Sequence, residues 1–120
     1  MLFRSSMGDG EISGTGVEIG GKGVIKVDLI KGKSGGWPVT ELQDSWVTHG
    51  TAGNIQDALK IACEEAARLL VDEWGFTMED AFIFLSVRGD LGIAQNVHPF
   101  PGEGFAVAKM KVPKIGRAHV

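Results

Sequence analysis

The sequence contains one cysteine, Cys63, so an intrachain disulfide is impossible and a reducing cytoplasm is the expected compartment. No run of about 18 apolar residues occurs, so no membrane-spanning helix is expected, and residues 1–7 lack the apolar part of a signal peptide. Basic residues are outnumbered, 12 against 15 acidic ones, and the formal charge is −3. Because no basic stripe is present, nucleic acid is not expected as the main partner. These absences predict a cytoplasmic protein that binds neither membranes nor nucleic acid.

Common catalytic motifs are also missing. The chain has no Gly-x-Ser-x-Gly elbow, no P-loop, no dinucleotide-binding glycine motif and no Cys-x-x-Cys pair. Cys63 lies inside a predicted helix beside Glu64, whose negative charge disfavours the thiolate, so we interpret it as a small core residue. The chemistry that remains open is attack by water, assisted either by a metal ion or by carboxylates.

Glycine is abundant, at 18 of 120 residues, which is roughly twice its average share. Without a repeat, this abundance indicates many tight turns, as in a β-rich protein with functional loops. Length and composition (43% hydrophobic, 22% charged) fit a single domain over residues 1–120, with loose termini at 1–6 and 116–120. The predicted element order is β-β-β-β-α-α-β, an α+β fold in which β-hairpins pack against two consecutive helices.

Strands are predicted mainly in the first half of the chain. They comprise a hairpin of Val17–Ile19 and Val24–Ile30, followed by strands at 37–41, 45–49 and 105–112. The glycines at 20–23 supply the positive φ that a hairpin turn needs. Lys26 and Asp28 then share one face of the second hairpin strand.

Two helices are predicted after Asn54, which is a good N-cap. Apolar residues then recur with a 3.6-residue period until Gly75, which occupies the position expected after a helix C-cap. Alanines on the buried face would let this helix lie close to a sheet. Thr77, followed by acids in the first turn, predicts a second helix that continues through the apolar run Ala81–Val87.

A polar loop is predicted at 88–101, directly after that apolar run, and it carries Asp90, Gln95 and His98. Gln95 follows the apolar residues Ile93 and Ala94. A buried amide must be hydrogen-bonded, so this position suggests that Gln95 is held by specific partners in a binding site. Two simpler interpretations stay open. Asp90 can form a local ion pair with Arg88, and His98 can be a loop histidine in water.

A second polar segment at 7–18 contains the pair Asp9-x-Glu11 framed by glycines. In an extended chain, residues two apart point to the same side, so both carboxylates can face one pocket. There they can ligate a cation or divide into acid and base; the alternative is a solvent-exposed acidic turn. His49 is the last residue of a predicted strand. A histidine in this position can act as a metal ligand, as a general base, or as a polar group that is hydrogen-bonded at the sheet edge. We predict that segments 7–18 and 88–101 meet and form one site.

Three segments taken together resemble the acetamidase/formamidase family: MGDGEISGTGVE, WVTHGTAGNIQDALKIACEEAARLLVDEWGFTMEDAFIFLS and VRGDLGIAQNVHP. The resemblance covers approximately Met7 to Ile115, in the expected order. It implies a β-rich α+β protein that hydrolyses short linear amides to a carboxylate and ammonia, and that is often metal-bound and dimeric. Carried over position by position, it implies roles for Asp9, Glu11, Glu18, His49, Asp90 and Gln95, with His98 the weakest correspondence.

Two features depart from the family pattern. Members are commonly more than twice this length, so the chain is expected to correspond to their C-terminal part. Ahead of Gly-Asp-Gly-Glu, relatives often show Asp-x-His-Ala, where this chain has Leu2-Phe3-Arg4-Ser5. Arg4 cannot ligate a metal, so a metal site that needs this histidine would be incomplete here.

These considerations leave two hypotheses, and a homodimer is the expected assembly. In the first, the chain is an amidohydrolase domain acting on a small formamide- or acetamide-like substrate, with a divalent cation (zinc or calcium) or carboxylates assisting the attack of water. The expected metal ligands are Asp9, Glu11 and His98, and the expected catalytic residues are Asp90, Gln95, His49 and Glu18. In the second, the chain is catalytically silent and contributes a packing or dimerisation surface.

Overall fold

The computed structural model describes residues 5–6, 8–11, 13–14, 16–33, 35–97, 102 and 104–115. The elements in this part of the chain are β1 (Ser5–Ser6), β2 (Val17–Glu18), β3 (Val39–Glu41), β4 (Ser45–Ala52), α1 (Ile55–Trp74), α2 (Met78–Arg88), β5 (Asp90–Val97) and β6 (Phe105–Pro113). Among these residues, β3 to β6 form an antiparallel sheet in the order β3-β4-β6-β5, and β1 pairs with β2 separately. The two helices pack against the larger sheet, so the predicted α+β class is confirmed.

Both helices begin after the predicted caps and end at or beside the predicted residues. The Asn54 side chain accepts a hydrogen bond from the Asp57 N–H (2.9 Å), and Gly75 has φ +68° at the end of α1, where residues with a Cβ are strained. The Thr77 hydroxyl accepts from the Asp80 N–H (3.1 Å) at the start of α2. Caps are local features, which is why the sequence located these helices correctly.

Helix α1 lies unusually close to β4. Its alanines Ala58, Ala62 and Ala66 are completely buried. The Thr48 hydroxyl donates a hydrogen bond to the Ala62 carbonyl (2.8 Å), and a Cβ at Gly50 would lie 2.5 Å from the Ala58 carbonyl oxygen. Small side chains on both elements therefore allow the backbones to approach.

The sheet has a helix-covered face and an opposite face, which we call the open face. Directly paired residues of antiparallel strands point to the same side, and successive residues alternate. Thr48 and Gly50 of β4 face the helix, and they pair with Met110 and Ala108 of β6. Ala106 and Val112 lie two residues further along β6 and share this face, and all four β6 residues are buried. The alternate residues of β6, including Lys109, consequently belong to the open face.

The predicted hairpin of Val17–Ile19 with Val24–Ile30 is wrong. Val17–Glu18 instead pairs with Ser5–Ser6. The latter two residues lie in the segment 1–6, which was predicted to be a loose terminus. Residues 19–30 belong to no strand in the described part of the chain, and their large apolar side chains are exposed. Local β propensity suggested a strand, but strand formation depends on a partner that propensity does not supply.

The predicted loop at 88–101 is also wrong over most of its length, because Asp90–Val97 forms strand β5 at the edge of the sheet. The register of β5 against β6 shifts between Ile93 and Gln95, where Ala94 is the extra residue of a β-bulge. Glycines and this extra residue interrupt the alternation by which strands are usually recognised. Residues 98–101, including His98, lie outside the described residues.

One end of the sheet is closed by an aromatic cluster and a buried lysine. Trp46 packs edge-on against Trp74, with ring centroids 5.5 Å apart. Lys114, directly after β6, lies 5.1 Å from the centre of the Trp46 ring and donates to Glu41 Oε1 (2.8 Å) and to the Leu42 carbonyl (2.7 Å). No helix in the described residues has the length and apolar character needed to cross a membrane.

Candidate functional site

The centre of the open face is a row of three paired residues, His49 on β4, Lys109 on β6 and Gly92 on β5. The Lys109 side chain lies across Gly92, since a Cβ at Gly92 would be 3.2 Å from Lys109 Cε. The missing side chain at Gly92 thus gives the lysine room to lie along the sheet. We call these three residues the central row.

Asp9 reaches the central row from the N-terminal polar segment. Its Oδ2 atom accepts a hydrogen bond from Lys109 Nζ, although the two residues are 100 positions apart in the sequence. The Asp9 side chain is largely exposed and that of Lys109 about one-third exposed, so the pair is accessible from solvent. This ion pair joins the segment at 8–11 to the open face.

Asp90 and Gln95 flank the central row on β5. Asp90 pairs with Lys111 and Gln95 pairs with Val107, and both partners are on the open face of β6. The bulge at Ala94 decides the position of Gln95, because uninterrupted alternation from Gly92 would direct it to the helix side. The structure thus places residues from both predicted polar segments on one face of the sheet.

His49 is half-buried, and its Nε2 atom lies 3.1 Å from the Thr40 hydroxyl oxygen. Burial is the main factor that lowers the pKa of His49 below its ordinary value of 6.5, and the nearby Lys109 ammonium lowers it further. The imidazole is therefore neutral at neutral pH and can accept a proton.

This lowered pKa predicts a pH dependence of stability. The unfolded chain binds a proton at His49 more readily than the folded chain, so the free energy of unfolding falls as the pH decreases below 6.5. The fall stops once the pH is below the folded-state pKa. In urea titrations at several pH values between about 5 and 7.5, the variant His49→Gln should lose less stability on acidification than the unmodified chain. Equal losses would contradict a lowered pKa.

Two of the three predicted metal ligands, Asp9 and Glu11, lie in the described part of the chain. Oε1 of Glu11 is buried without a hydrogen-bond partner among the described residues, a position that suits a donor or a cation. Asp9, however, is paired with Lys109, and His98 lies outside the described residues. The described residues include no group of three His, Cys, Asp or Glu side chains placed to hold an ion. By themselves these described residues do not complete a metal site.

Two other residues considered in the sequence are Glu18 and Cys63. Glu18 is exposed in β2, whose strand partner is β1. Cys63 is partly buried in α1, and burial, followed by the charge of Glu64, raises the pKa of its thiol. A thiol that stays protonated is a poor nucleophile, consistent with a packing role.

Sequence reasoning missed Lys109 and Thr40 as members of this site. The signal for Lys109 was present: between residues 106 and 112, small or apolar residues alternate with Val107, Lys109 and Lys111, as expected of a strand with one polar face. For Thr40 there was no such signal, because its contact with His49 depends on the register of β3 against β4.

A separate open cavity of about 770 Å³ lies on the helix side, between α1 and the start of β3. Trp37, Trp46, Glu65 and Arg68 are among the residues that line it. None of the predicted site residues that the structure describes borders this cavity. The open face and not this cavity therefore carries the candidate chemistry.

No family model matches the chain, and no curated protein matches it. Solved structures do match. An acetamidase from Yersinia enterocolitica is 34% identical over 88% of this chain, with a TM-score of 0.77. A recombinant predicted acetamidase/formamidase from Thermoanaerobacter tengcongensis is 25% identical over 70% of the chain, with a TM-score of 0.59. An acetamidase from Bacillus halodurans, 24% identical over 63% of the chain with a TM-score of 0.55, shows similarity of fold alone.

The α+β domain with its polar open face thus has an amidase-like fold. The resemblance to the acetamidase/formamidase family is confirmed, both in sequence and in fold. The chain spans 31%, 26% and 24% of the length of the Yersinia, Thermoanaerobacter and Bacillus proteins, respectively. It therefore corresponds to a third or less of each of these proteins.

Proposed function

We propose that this chain contributes the catalytic face of a hydrolase that converts short linear amides, of the formamide and acetamide class, into a carboxylate and ammonia. The observation that supports this function is the meeting of Asp9, Lys109 and His49 on the sheet face that also carries Asp90 and Gln95. The fold shared with proteins named acetamidase supports the choice of substrate class.

Each step of amide hydrolysis has a candidate group in this arrangement. Water adds to the carbonyl carbon, and the carbonyl electron pair moves to oxygen, which forms a tetrahedral oxyanion. The Lys109 ammonium, oriented by Asp9, would stabilise that oxyanion. Neutral His49 would accept the proton of the attacking water and return it to the leaving nitrogen as the C–N bond breaks.

Asp90 and Gln95 would recognise the substrate. A primary amide presents N–H donors and a carbonyl acceptor, and a carboxylate with a neighbouring side-chain amide offers the complementary groups. Both residues lie on the open face beside the central row, one on each side of Gly92. A small substrate would then be held by β5 while it reacts over β6.

Ammonia release from formamide and acetamide tests this function. The purified chain should be assayed as prepared, after treatment with a chelator, and after addition of zinc or calcium. Release that survives chelation would support the metal-free chemistry above, whereas release restored only by an added ion would assign a metal cofactor. If no condition yields ammonia, the chain alone is not an active amidase.

The second candidate is a catalytically inactive module that provides a packing or dimerisation surface. The observation that favours it is the exposed apolar segment at 24–30, which belongs to no strand in the described part of the chain. A chain that forms a stable assembly but releases no ammonia would support this candidate over the first.

A further inference from the structure

The cavity on the helix side, to which the proposed amide chemistry gives no role, has the size of a ligand site. Its volume of about 770 Å³ is within the range of pockets that bind small molecules. Three parts of the chain line it: α1, the strands β3 and β4, and the segment that leads into β3. Its α1 residues are mostly spaced three or four apart and so share one helix face, namely Glu65, Arg68, Leu69 and Asp72.

The segment that leads into β3 lies in close contact with α1. A Cβ at Gly36 would be 2.8 Å from Glu65 Oε2, so the backbone of this segment lies directly against the carboxylate. Glu65 is in turn paired with Arg68, and its side chain is only 12% exposed. The wall of the cavity beside Trp37 is therefore joined to the helix, and the cavity has a defined shape.

Two tryptophans and an excess of acidic side chains determine what this cavity can bind. Trp37 and Trp46 line it, and the face of an indole ring attracts cations. Acidic groups outnumber basic ones, four to two, among the described lining residues: Glu41, Glu65, Asp72 and Glu73 against Lys33 and Arg68. The other described lining residues carry no charge. Such a lining is complementary to a cation that has an apolar body.

Two of these carboxylates are available to a ligand. Glu65 is already paired with Arg68. Asp72 and Glu73, by contrast, are exposed and form no ion pair with any residue that the structure describes. Lys33 is likewise unpaired in the described part of the chain, so two free carboxylates face a single free cation.

The protein's own Lys114 shows how these walls hold an ammonium group. Its Nζ atom lies 5.1 Å from the centre of the Trp46 ring and 2.8 Å from Glu41 Oε1. Both partners line the cavity, and the lysine side chain is only 9% exposed. Lys114 thus occupies one of the two indoles. Trp37, which is 40% exposed, leaves the other open to a ligand.

We propose that this cavity is a binding site for a small organic ammonium ion with an apolar body. The charged group is held against Trp37, with Asp72 and Glu73 as its carboxylate partners. Leu69 and Val39 cover the apolar body. The volume of the cavity favours a free small molecule as the ligand. The site does not depend on amide hydrolysis, since no residue of the central row lines it.

Benzylammonium and benzyl alcohol test the proposal, because they have nearly the same shape and differ in charge. Heteronuclear NMR of the full chain, at neutral pH and constant ionic strength, follows the indole N–H signals as each probe is added. Benzylammonium should shift the signal of Trp37 and not that of Trp74, which does not line the cavity. Its dissociation constant should be about tenfold lower than that of benzyl alcohol, as expected of a cation on an indole face.

Two variants test the residues that hold the cation, with binding followed through backbone amide signals of the cavity wall. Trp37→Leu keeps an apolar side chain without the ring, and it should weaken benzylammonium binding about tenfold. Asp72→Asn should weaken it about threefold, as expected for an exposed ion pair, and should leave benzyl alcohol binding unchanged.

Glu64→Gln is the matched control for the loss of one negative charge on α1, since Glu64 does not line the cavity. It should leave the affinities for both probes unchanged. Thermal unfolding followed by circular dichroism should show that every variant is folded. Equal affinities for the two probes would overturn the proposal, as would the absence of shifts at cavity residues. A folded Trp37→Leu chain that binds benzylammonium as tightly as the unmodified chain would also overturn it.

Discussion

Gly50→Ala should destabilise the fold by about 3 kcal/mol, at the upper end of the usual cost of overpacking. A Cβ at this position would lie 2.5 Å from the Ala58 carbonyl oxygen, 2.7 Å from the Ala62 nitrogen and 2.8 Å from Ile61 Cβ. Two of these contacts are with helix backbone, which cannot move aside as a flexible side chain can. The methyl group therefore has to push α1 away from β4 and loosen the core that the two elements share.

Urea unfolding, followed by tryptophan fluorescence, measures this loss as a shift of the midpoint. Gly53→Ala is the matched control, because a Cβ at Gly53 meets nothing within 4 Å and the residue precedes the same helix. That control should stay within about 1 kcal/mol of the unmodified chain. A Gly50→Ala chain as stable as the control would show that α1 does not lie this close to β4.

Lys109→Met should lower kcat/KM for formamide about 100-fold in a preparation that releases ammonia, with most of the loss in kcat, because removal of a single oxyanion-stabilising group typically costs this much. Methionine lacks the ammonium but keeps an apolar stem that reaches as far as Cε over Gly92, so the packing of β6 against β5 is preserved. The measurement is steady-state ammonia release, together with a melting temperature to confirm folding.

Two further variants separate charge from structure at this position. Lys109→Arg retains the cation and should recover part of the activity. Lys60→Met, on the exposed surface of α1, removes a lysine away from the open face and should have no effect. If Lys109→Met keeps its activity within about threefold of the unmodified chain, against the 100-fold loss expected of an oxyanion-stabilising group, the proposed chemistry is wrong.

The helices were predictable because their signals are local. Asn54 and Gly75 define the two ends of α1 within a few residues, and the periodic alanines identify its buried face. Thr77 defines the start of α2 in the same way. Nothing outside these stretches is needed to decide that they are helical.

The strands were less predictable because pairing joins distant residues. Residues 24–30 have strand-like composition but belong to no strand in the described part of the chain, whereas Asp90–Val97 pairs with β6 on both sides of its bulge, despite its glycine. Neither outcome can be read from the segment itself. The neighbouring strand decides the outcome, because β6 pairs with β5 and no described strand pairs with residues 24–30.

The sequence indicated several residues of the candidate site, but not which side chains contact one another there. Asp9, His49, Asp90 and Gln95 were chosen for their chemistry, and the open face carries or contacts all four. Lys109, which links Asp9 to the sheet, could be recognised only once the paired strands showed which face it occupies. Its role, like theirs, stays a proposal until activity is measured.

The buried lysine after β6 has a consequence for how the sheet comes apart. The Lys114 ammonium donates to Glu41 and to the Leu42 carbonyl, and its backbone N–H donates to the Asp44 carbonyl, all of them distant in the sequence. If the three-residue edge strand β3 frayed by itself, the Lys114 ammonium beside Trp46 would lose its hydrogen bond to Glu41, and bonds to charged groups cost more to lose than neutral ones. The shortest strand of this sheet is thereby made harder to open on its own.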